Sequence, residues 1–287
     1  MAERGRPAAL IITGDGLNCE RETAWAFRLA GAQPQCVHIS DVLRRERRLE
    51  EFAILAFIGG FSNGDHLGAG TVQASRFRHA LREDLQAFID RGGLIIGICN
   101  GFQTLVKMGV LPGRGASGAA AAPVADHAPG ADTGRWQRTA TIMANDSGRF
   151  EDRWVHLAVS PDSPCVWTRG LRRLYLPVRH GEGKFVVGDE RILDALRRSG
   201  QVVACYATRS GEPTMEYPAN PNGSEGAVAA LCDPGGRIFG LMPHPEAHLV
   251  PYHHPTWTRR AALGLPLPDE GEGLAVFRNA VQFLMGR

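Results

Sequence analysis

One stretch constrains this chain more than any other: Gly93-Leu94-Ile95-Ile96-Gly97-Ile98-Cys99-Asn100-Gly101-Phe102-Gln103. Apolar residues run straight into Gly97-x-Cys99-x-Gly101, and a helical pattern follows at Phe102, Leu105 and Val106. A short apolar run closed by such a turn reads as a strand buried on both faces. Glycines on either side of the central residue allow a tight strand-to-helix elbow, which projects the side chain between them into a cleft. The turn also sets the thiol at a helix N-terminus, where backbone N–H groups favour a thiolate. Cys99 is therefore the candidate nucleophile. A cysteine variant of the α/β-hydrolase elbow has the same pattern, so the turn alone does not fix the reaction.

The flanking sequence repeats this strand-then-helix grammar. Strands are expected over Ala8–Ile12, Pro34–Ile39, Ala53–Ile58 and Leu94–Ile98, with helices over Cys19–Gly31 and Ser75–Arg91. Apolar strands alternating with amphipathic helices predict an α/β fold, a mostly parallel sheet covered on both faces. Further strands are expected at Trp154–Val159, Leu174–Val178, Phe185–Val187, Val202–Tyr206, Ala227–Leu231 and Ile238–Met242. Their spacing leaves no room for long helices and predicts an additional antiparallel or mixed region. A last helix is expected over Gly273–Met285. Residues 113–135, rich in Gly and Ala, read as a flexible insertion too short to separate domains, so 1–287 reads as one domain.

Bulk properties exclude several classes. Lys and Arg number 32 against 30 Asp and Glu, a net charge of +2, which gives no electrostatic case for nucleic acid or an acidic membrane. No apolar run approaches a membrane span, and Met1–Pro7 lacks the apolar core of a signal peptide. The six cysteines contain no CxxC pair, so zinc-ribbon and thioredoxin readings lack support. A cytoplasmic protein with reduced thiols is expected.

A cysteine nucleophile needs a base, and the base an orienting group. His244 and Glu246, in Gly240-Leu241-Met242-Pro243-His244-Pro245-Glu246, supply both within two residues. Prolines on both sides of His244 stiffen the backbone there. His244, His248, His253 and His254 also raise a metal reading, but Pro245 interrupts any helix that would present them together, and no metal site is expected. A third element, Gly59-Gly60-Phe61, follows a predicted strand. Its peptide N–H groups, with that of Asn100, are placed to stabilise a tetrahedral oxyanion.

With these three elements together the chain resembles the class I, triad-type glutamine amidotransferases. Within them it is similar to the glutaminase portion of phosphoribosylformylglycinamidine synthases. The stretches that carry the resemblance are Gly59-Gly60-Phe61-Ser62 with Gly64-Asp65, Gly97 to Gln103, and His180-Gly181-Glu182-Gly183. Ala219-Asn220-Pro221-Asn222-Gly223-Ser224 and Met242 to Glu246 complete the set, in the family's order and spanning most of the chain. The resemblance implies a flavodoxin-like three-layer sandwich. It implies that Cys99 attacks the side-chain amide of glutamine, that His244 carries the proton to the leaving ammonia, and that Glu246 orients His244. It further implies that Phe61 and Asn100 N–H groups hold the oxyanion, that Gly59 and Gly60 shape that loop, and that Gln103 helps bind glutamine. His180, Glu182, Asn220 and Asn222 become candidates for a partner interface. The implied partners are a PurL-like synthetase subunit and a small PurS-like subunit. ATP and magnesium are expected in the synthetase and no cofactor in this chain, which lacks a phosphate-binding glycine loop. Two other readings stand beside this one: a glutaminase serving a different synthetase, and a non-catalytic assembly subunit of the same fold. The chain departs from the family at Ile58, Asn63 and Ala247, and its first turn, Gly14 to Cys19, matches the family's Pro-Gly-x-Asn-Cys only in part.

Overall fold

A computed structural model describes residues 5–113 and 136–286. The first half lays down β1 (Ala8–Thr13), α1 (Glu20–Ala30), β2 (Gln33–His38), α2 (Ile39–Leu43), β3 (Ile54–Phe57), α3 (Thr71–Ala80), α4 (Arg82–Asp90), β4 (Leu94–Ile98) and α5 (Asn100–Met108). The second half adds β5 (Ala140–Ala144), β6 (Glu151–Val159), β7 (Arg173–His180), β8 (Glu182–Val187), α6 (Glu190–Arg198), β9 (Val202–Ala207), β10 (Val228–Cys232), β11 (Ile238–Leu241), α7 (Trp257–Ala262) and α8 (Leu274–Met285).

Nine strands form one sheet in the order β2-β1-β3-β4-β11-β10-β9-β6-β7. The five from β2 to β11 run parallel, and β10, β9, β6 and β7 each run antiparallel to their neighbours. Strands β3, β4, β10 and β11 are buried along their whole length. Covered faces are what unbroken apolar runs demand, so the run of five parallel strands and its antiparallel flank agree with the sequence expectation. β5 and β8 make a separate antiparallel pair. The expected insertion over 113–135 falls almost wholly outside the described residues. Among those described, no helix is long and apolar enough to cross a membrane.

Besides the short helices α2 and α7, which the sequence reading did not include, three elements differ from expectation. The single helix expected over Ser75–Arg91 is two helices, broken at Leu81, whose φ of −125° and ψ of 16° leave the helical region. The break keeps Leu81 buried together with Phe77 and Leu85. α6 was not anticipated, although Ile192, Leu193 and Leu196 form its buried stripe and the Asp189 side chain caps it by accepting from the Arg191 N–H. β5 was likewise missed, because its outer residues Met143 and Ala144 are exposed and its pairing with β8 is a long-range contact.

The topology places the chemistry. β3, β4 and β11 are adjacent and parallel, with Phe57 and Gly240 both in register with Gly97. Their carboxyl ends therefore stop at one level. Gly59-Gly60, Cys99 and His244 follow those three ends, at the edge where open parallel sheets bind ligands.

Candidate active site

The elbow after β4 is strained at the cysteine itself. Cys99 has φ 51° and ψ −105°, far from the regions a non-glycine residue prefers. Such a conformation costs on the order of 1–3 kcal/mol and persists only when its surroundings impose it. Here the Cys99 N–H donates to the Leu241 carbonyl at 2.8 Å, tying the turn to the end of β11. The neighbouring glycines serve close approach rather than left-handed backbone. A Cβ at Gly101 would fall 1.9 Å from the Phe57 carbonyl oxygen, and one at Gly97 would meet Leu105 at 2.5 Å. The helix thus packs directly onto β3 with the thiol at its N-terminal end.

His244 reaches this thiol from the next strand. Its N–H donates to the Pro177 carbonyl at 2.8 Å, which fixes the loop on β7. Its Nδ1 lies 2.6 Å from Glu246 Oε1, with both side chains buried. Pro245 starts a single 3-10 turn over Pro245–Ala247, so the residue two positions on curls back to its own histidine. Burial opposes a charge on His244, but the Glu246 carboxylate and the two nearby thiols, Cys99 and Cys19, hold its pKa well above the ordinary value. The structure thus brings together the three residues expected to act as nucleophile, base and orienter. Gly59 completes the wall. A Cβ there would lie 2.9 Å from His244 Cε1 and 3.7 Å from Cys99 Cβ, so only a glycine leaves the imidazole its place.

The Gly59-Gly60-Phe61 loop is braced against the first turn. The Asn18 N–H donates to the Gly59 carbonyl at 3.0 Å, and the Phe61 N–H donates to the Gly16 carbonyl at 2.7 Å. The expected role of Phe61 as an oxyanion donor is corrected accordingly: its N–H is satisfied inside the loop. Asn100 is the first residue of α5, and helix geometry leaves its N–H without an intrahelical acceptor. The Phe61 ring, exposed, faces the Phe150 ring with centroids 6.2 Å apart. Together with Asn18, Cys19, Gly60, Arg179 and His244 these rings line a cleft of about 280 Å³ that opens onto the catalytic histidine.

Polar contacts knit the remaining motifs behind the elbow. Asn100 Nδ2 donates to Asp65 Oδ1 at 3.1 Å and to Gln103 Oε1 at 3.1 Å. Gln103 Nε2 donates to the Glu182 carbonyl at 2.5 Å, and the Ala69 N–H donates to Glu182 Oε2 at 3.2 Å. Lys107 Nζ pairs with that carboxylate at 3.7 Å and donates to the Ala69 carbonyl at 2.7 Å. Asp65 and Lys107 were not singled out as site residues from sequence. Asp65 lies in a quoted motif, whereas nothing local marks Lys107.

The partner-interface expectation fails for three of its four residues. His180, Asn220 and Asn222 are 2%, 1% and 0% exposed, so none presents a surface to another chain. They hold loops together instead, as buried polar groups must. Asn222 Nδ2 donates to the Tyr206 hydroxyl at 2.9 Å, and its Oδ1 accepts from the Ser224 N–H at 3.0 Å. Asn220 Nδ2 donates to the Ser224 carbonyl at 3.1 Å. His180 Nδ1 bonds Asn145 Oδ1 at 3.1 Å. Burial and then the nearby charge of His244 lower its pKa to about 3. Only Glu182 keeps a partly exposed side chain.

The histidines weighed as metal ligands form no ligand cluster among the described residues, although the His248 and His254 rings lie 5.8 Å apart. His248 Nδ1 bonds the Tyr175 carbonyl at 3.0 Å, His253 Nδ1 accepts from the Leu249 N–H, and His254 Nδ1 accepts from the Thr256 N–H. The cluster that does form was not anticipated: Cys19, His244 and Glu246.

Comparison with known proteins agrees with this geometry. Residues 6–284 match the model of the CobB/CobQ-like glutamine amidotransferase domain. The phosphoribosylformylglycinamidine synthase subunit PurQ of Dehalococcoides mccartyi is 45% identical over 274 residues, covering 96% of each chain. The subunit of the same name from Methanococcus maripaludis is 38% identical, covering 96% of this chain and 97% of that one. Among solved structures, PurLQS from Thermotoga maritima superposes with a TM-score of 0.67 at 26% identity, covering 97% of this chain and 99% of that chain. The chain belongs to the CobB/CobQ-like glutamine amidotransferase family, in its PurQ-type branch.

Proposed function

We propose that this chain is the glutaminase subunit of a phosphoribosylformylglycinamidine synthase in purine biosynthesis. The observation that carries the reading is the convergence of Cys99, His244 and Glu246 at the ends of two adjacent parallel strands. The PurQ names of the relatives and the PurLQS assembly of the structural neighbour support the pathway.

In this mechanism Cys99 Sγ attacks the side-chain amide carbon of glutamine, and His244 takes the thiol proton. The carbonyl oxygen becomes an oxyanion, held by the Asn100 N–H and by that of Gly60, which replaces Phe61 as the second donor. Collapse breaks the C–N bond as His244 gives its proton to the leaving amine, releasing ammonia and a glutamyl thioester. His244 then deprotonates a water that attacks the thioester carbon. Glutamate leaves and the thiol is restored. Glu246 keeps the imidazole oriented and stabilises its charged form. Gln103, expected to help bind glutamine, has both ends of its buried amide bonded, to Asn100 and to the Glu182 carbonyl, so it braces the elbow, and the partly exposed Glu182 remains the one candidate for the partner interface.

Ammonia passes to a PurL-like synthetase, with a small PurS-like subunit completing the assembly. ATP and magnesium belong to the synthetase, which converts formylglycinamide ribonucleotide to the amidine. The compartment we assign is the cytoplasm, in keeping with six cysteines that are all free.

The test uses the complex. Cys99→Ala should abolish glutamine-dependent amidine formation and leave ammonia-dependent formation intact. Normal glutamine hydrolysis by this variant would refute the assignment. Assaying the wild-type chain alone, then with the synthetase, formylglycinamide ribonucleotide and ATP, identifies the acceptor: the largest rate should require all of them.

A further inference from the structure

A second cleft, larger than the catalytic one, lies at the other end of β7. Arg173 and Tyr175 line it, whereas Arg179 lines the catalytic cleft. Its volume is about 710 Å³, within the range of small-molecule sites. Among the described residues none lines both clefts.

The sheet order builds it. His156 on β6 stands opposite Tyr175 on β7 and opposite Ala207 at the end of β9. Directly opposed side chains share a face, and the His156 and Tyr175 rings stack with centroids 4.3 Å apart. Arg173, two residues before Tyr175, falls on that same face. Its guanidinium lies against the turn that follows β9, where a Cβ at Gly211 would fall 2.5 Å from Arg173 Cζ. Arg209 belongs to that turn, and Arg259 and Arg260 of α7 complete the wall.

Charge sets this cleft apart. Four guanidiniums line it against one carboxylate, that of Glu272, whose Oε2 already accepts from the Tyr175 N–H at 2.6 Å. None of the four arginines is in an ion pair among the described residues. By contrast Arg44, Arg47 and Arg48, near the amino end of the chain, each pair with a glutamate. The half-buried Arg260 donates one N–H to the Pro266 carbonyl at 3.0 Å, while its Nε is buried with no partner. Burial, and then the charges of Arg209 and Arg173, lower the pKa of His156, as a positive field does. Like charges gathered in a concavity repel one another and concentrate anions there.

We propose that this cleft binds a multiply phosphorylated small molecule, its phosphates held by Arg173, Arg209, Arg259 and Arg260 beside the His156–Tyr175 ring wall. Guanidinium forks match phosphate oxygens two at a time, which separates such a site from a merely basic surface. A nucleotide and an inorganic polyphosphate share this chemistry. The binding site does not rest on the glutaminase reading.

Calorimetric titration of the full chain, without magnesium, tests it with three probes: tripolyphosphate, ATP and adenosine. At physiological salt, tripolyphosphate and ATP should each bind once per chain, and adenosine far more weakly. Tighter binding of ATP than of tripolyphosphate assigns the site to a nucleotide, and equal affinity assigns it to the phosphate chain alone. Arg173→Gln combined with Arg209→Gln should weaken both by roughly tenfold, between the worth of exposed ion pairs and that of charged hydrogen bonds. Arg209→Gln alone, in the exposed turn, should lose roughly threefold, and Arg209→Lys less. Urea midpoints and glutamine hydrolysis in the complex should match wild type in all of these. Absence of binding, heats that vanish at physiological salt, adenosine binding as tightly as ATP, or unchanged affinity in the double variant overturns the proposal. So does a double variant that keeps tripolyphosphate and loses the synthetase, since the arginines would then serve a protein contact.

Discussion

His244 Nδ1 and Glu246 Oε1 approach to 2.6 Å while both side chains are almost wholly buried. In that setting the carboxylate sets both the tautomer of the imidazole and its affinity for a proton, because it holds the pKa of His244 up against burial. Glu246→Gln keeps the shape and removes the charge. Its kcat for glutamine hydrolysis should fall by about 10²–10⁴ with KM little changed, as when the orienting acid of a triad is neutralised. The pH profile should move as well. The proton given to the leaving ammonia is lost as pH rises through the pKa of His244, so the alkaline limb of the variant should lie at lower pH than that of wild type. An unshifted limb would mean that Glu246 only positions the ring.

Gly59 offers a test through bulk rather than charge. A Cβ there would stand 2.9 Å from His244 Cε1, closer than carbon atoms tolerate. Gly59→Ala should therefore displace the imidazole rather than unfold the sheet, because β3 itself ends at Phe57. A displacement of about 1 Å can cost 10²-fold in rate. Glutaminase kcat should fall by about that factor while the urea midpoint stays near wild type. Retention of full activity would place the productive His244 elsewhere.

The legible parts of this protein were those written in local patterns. Strands such as Leu94–Ile98 announce themselves because a strand buried on both faces needs an unbroken apolar run, and the Gly-x-Cys-x-Gly elbow and the His-Pro-Glu turn are each complete within a few residues. The misread parts depend on contacts between distant segments. Asn220 and Asn222 look like exposed turn residues, and their burial appears only when the loop meets Tyr206, Gly183 and Phe185. The Phe61 N–H looks free until Gly16 is brought beside it. Lys107 carries no motif and acquires its place from Glu182 and Ala69. Cys19 was visible as part of a first turn, but its proximity to His244 is a product of the sheet order, in which β1 follows β3 and β3 follows β4.

Asn222 tests the correction about the partner interface. Replacing it with Ala leaves the Tyr206 hydroxyl on β9 without its donor and the Ser224 N–H without its acceptor, all of them buried. Each buried polar group so orphaned costs about 1–3 kcal/mol, so Asn222→Ala should lose about 2–6 kcal/mol in urea unfolding. Affinity for the synthetase, measured where the variant is fully folded, should be unchanged. A stable variant with weakened assembly would instead return Asn222 to the interface.

His180 links the same buried region to pH. Burial and the charge of His244 lower its pKa to about 3, so it is neutral in the folded chain, while in the unfolded chain it takes up a proton below its ordinary value near 6.5. Between those two values the unfolded state binds the extra proton, and stability must fall as pH falls. The full contribution is present above about pH 6.5, and the loss runs down toward pH 3 at up to about 1.4 kcal/mol per pH unit for this one residue. Carboxylates titrate over part of the same range, so the slope of wild type alone does not isolate the histidine. The difference between wild type and His180→Gln does, since the amide can still face Asn145 and cannot take up a proton. Urea unfolding from pH 7 to pH 4 should give a shallower decline for His180→Gln even where that variant is less stable at pH 7. Parallel curves would show that His180 is protonated alike in both states, against what its burial and the charge of His244 imply.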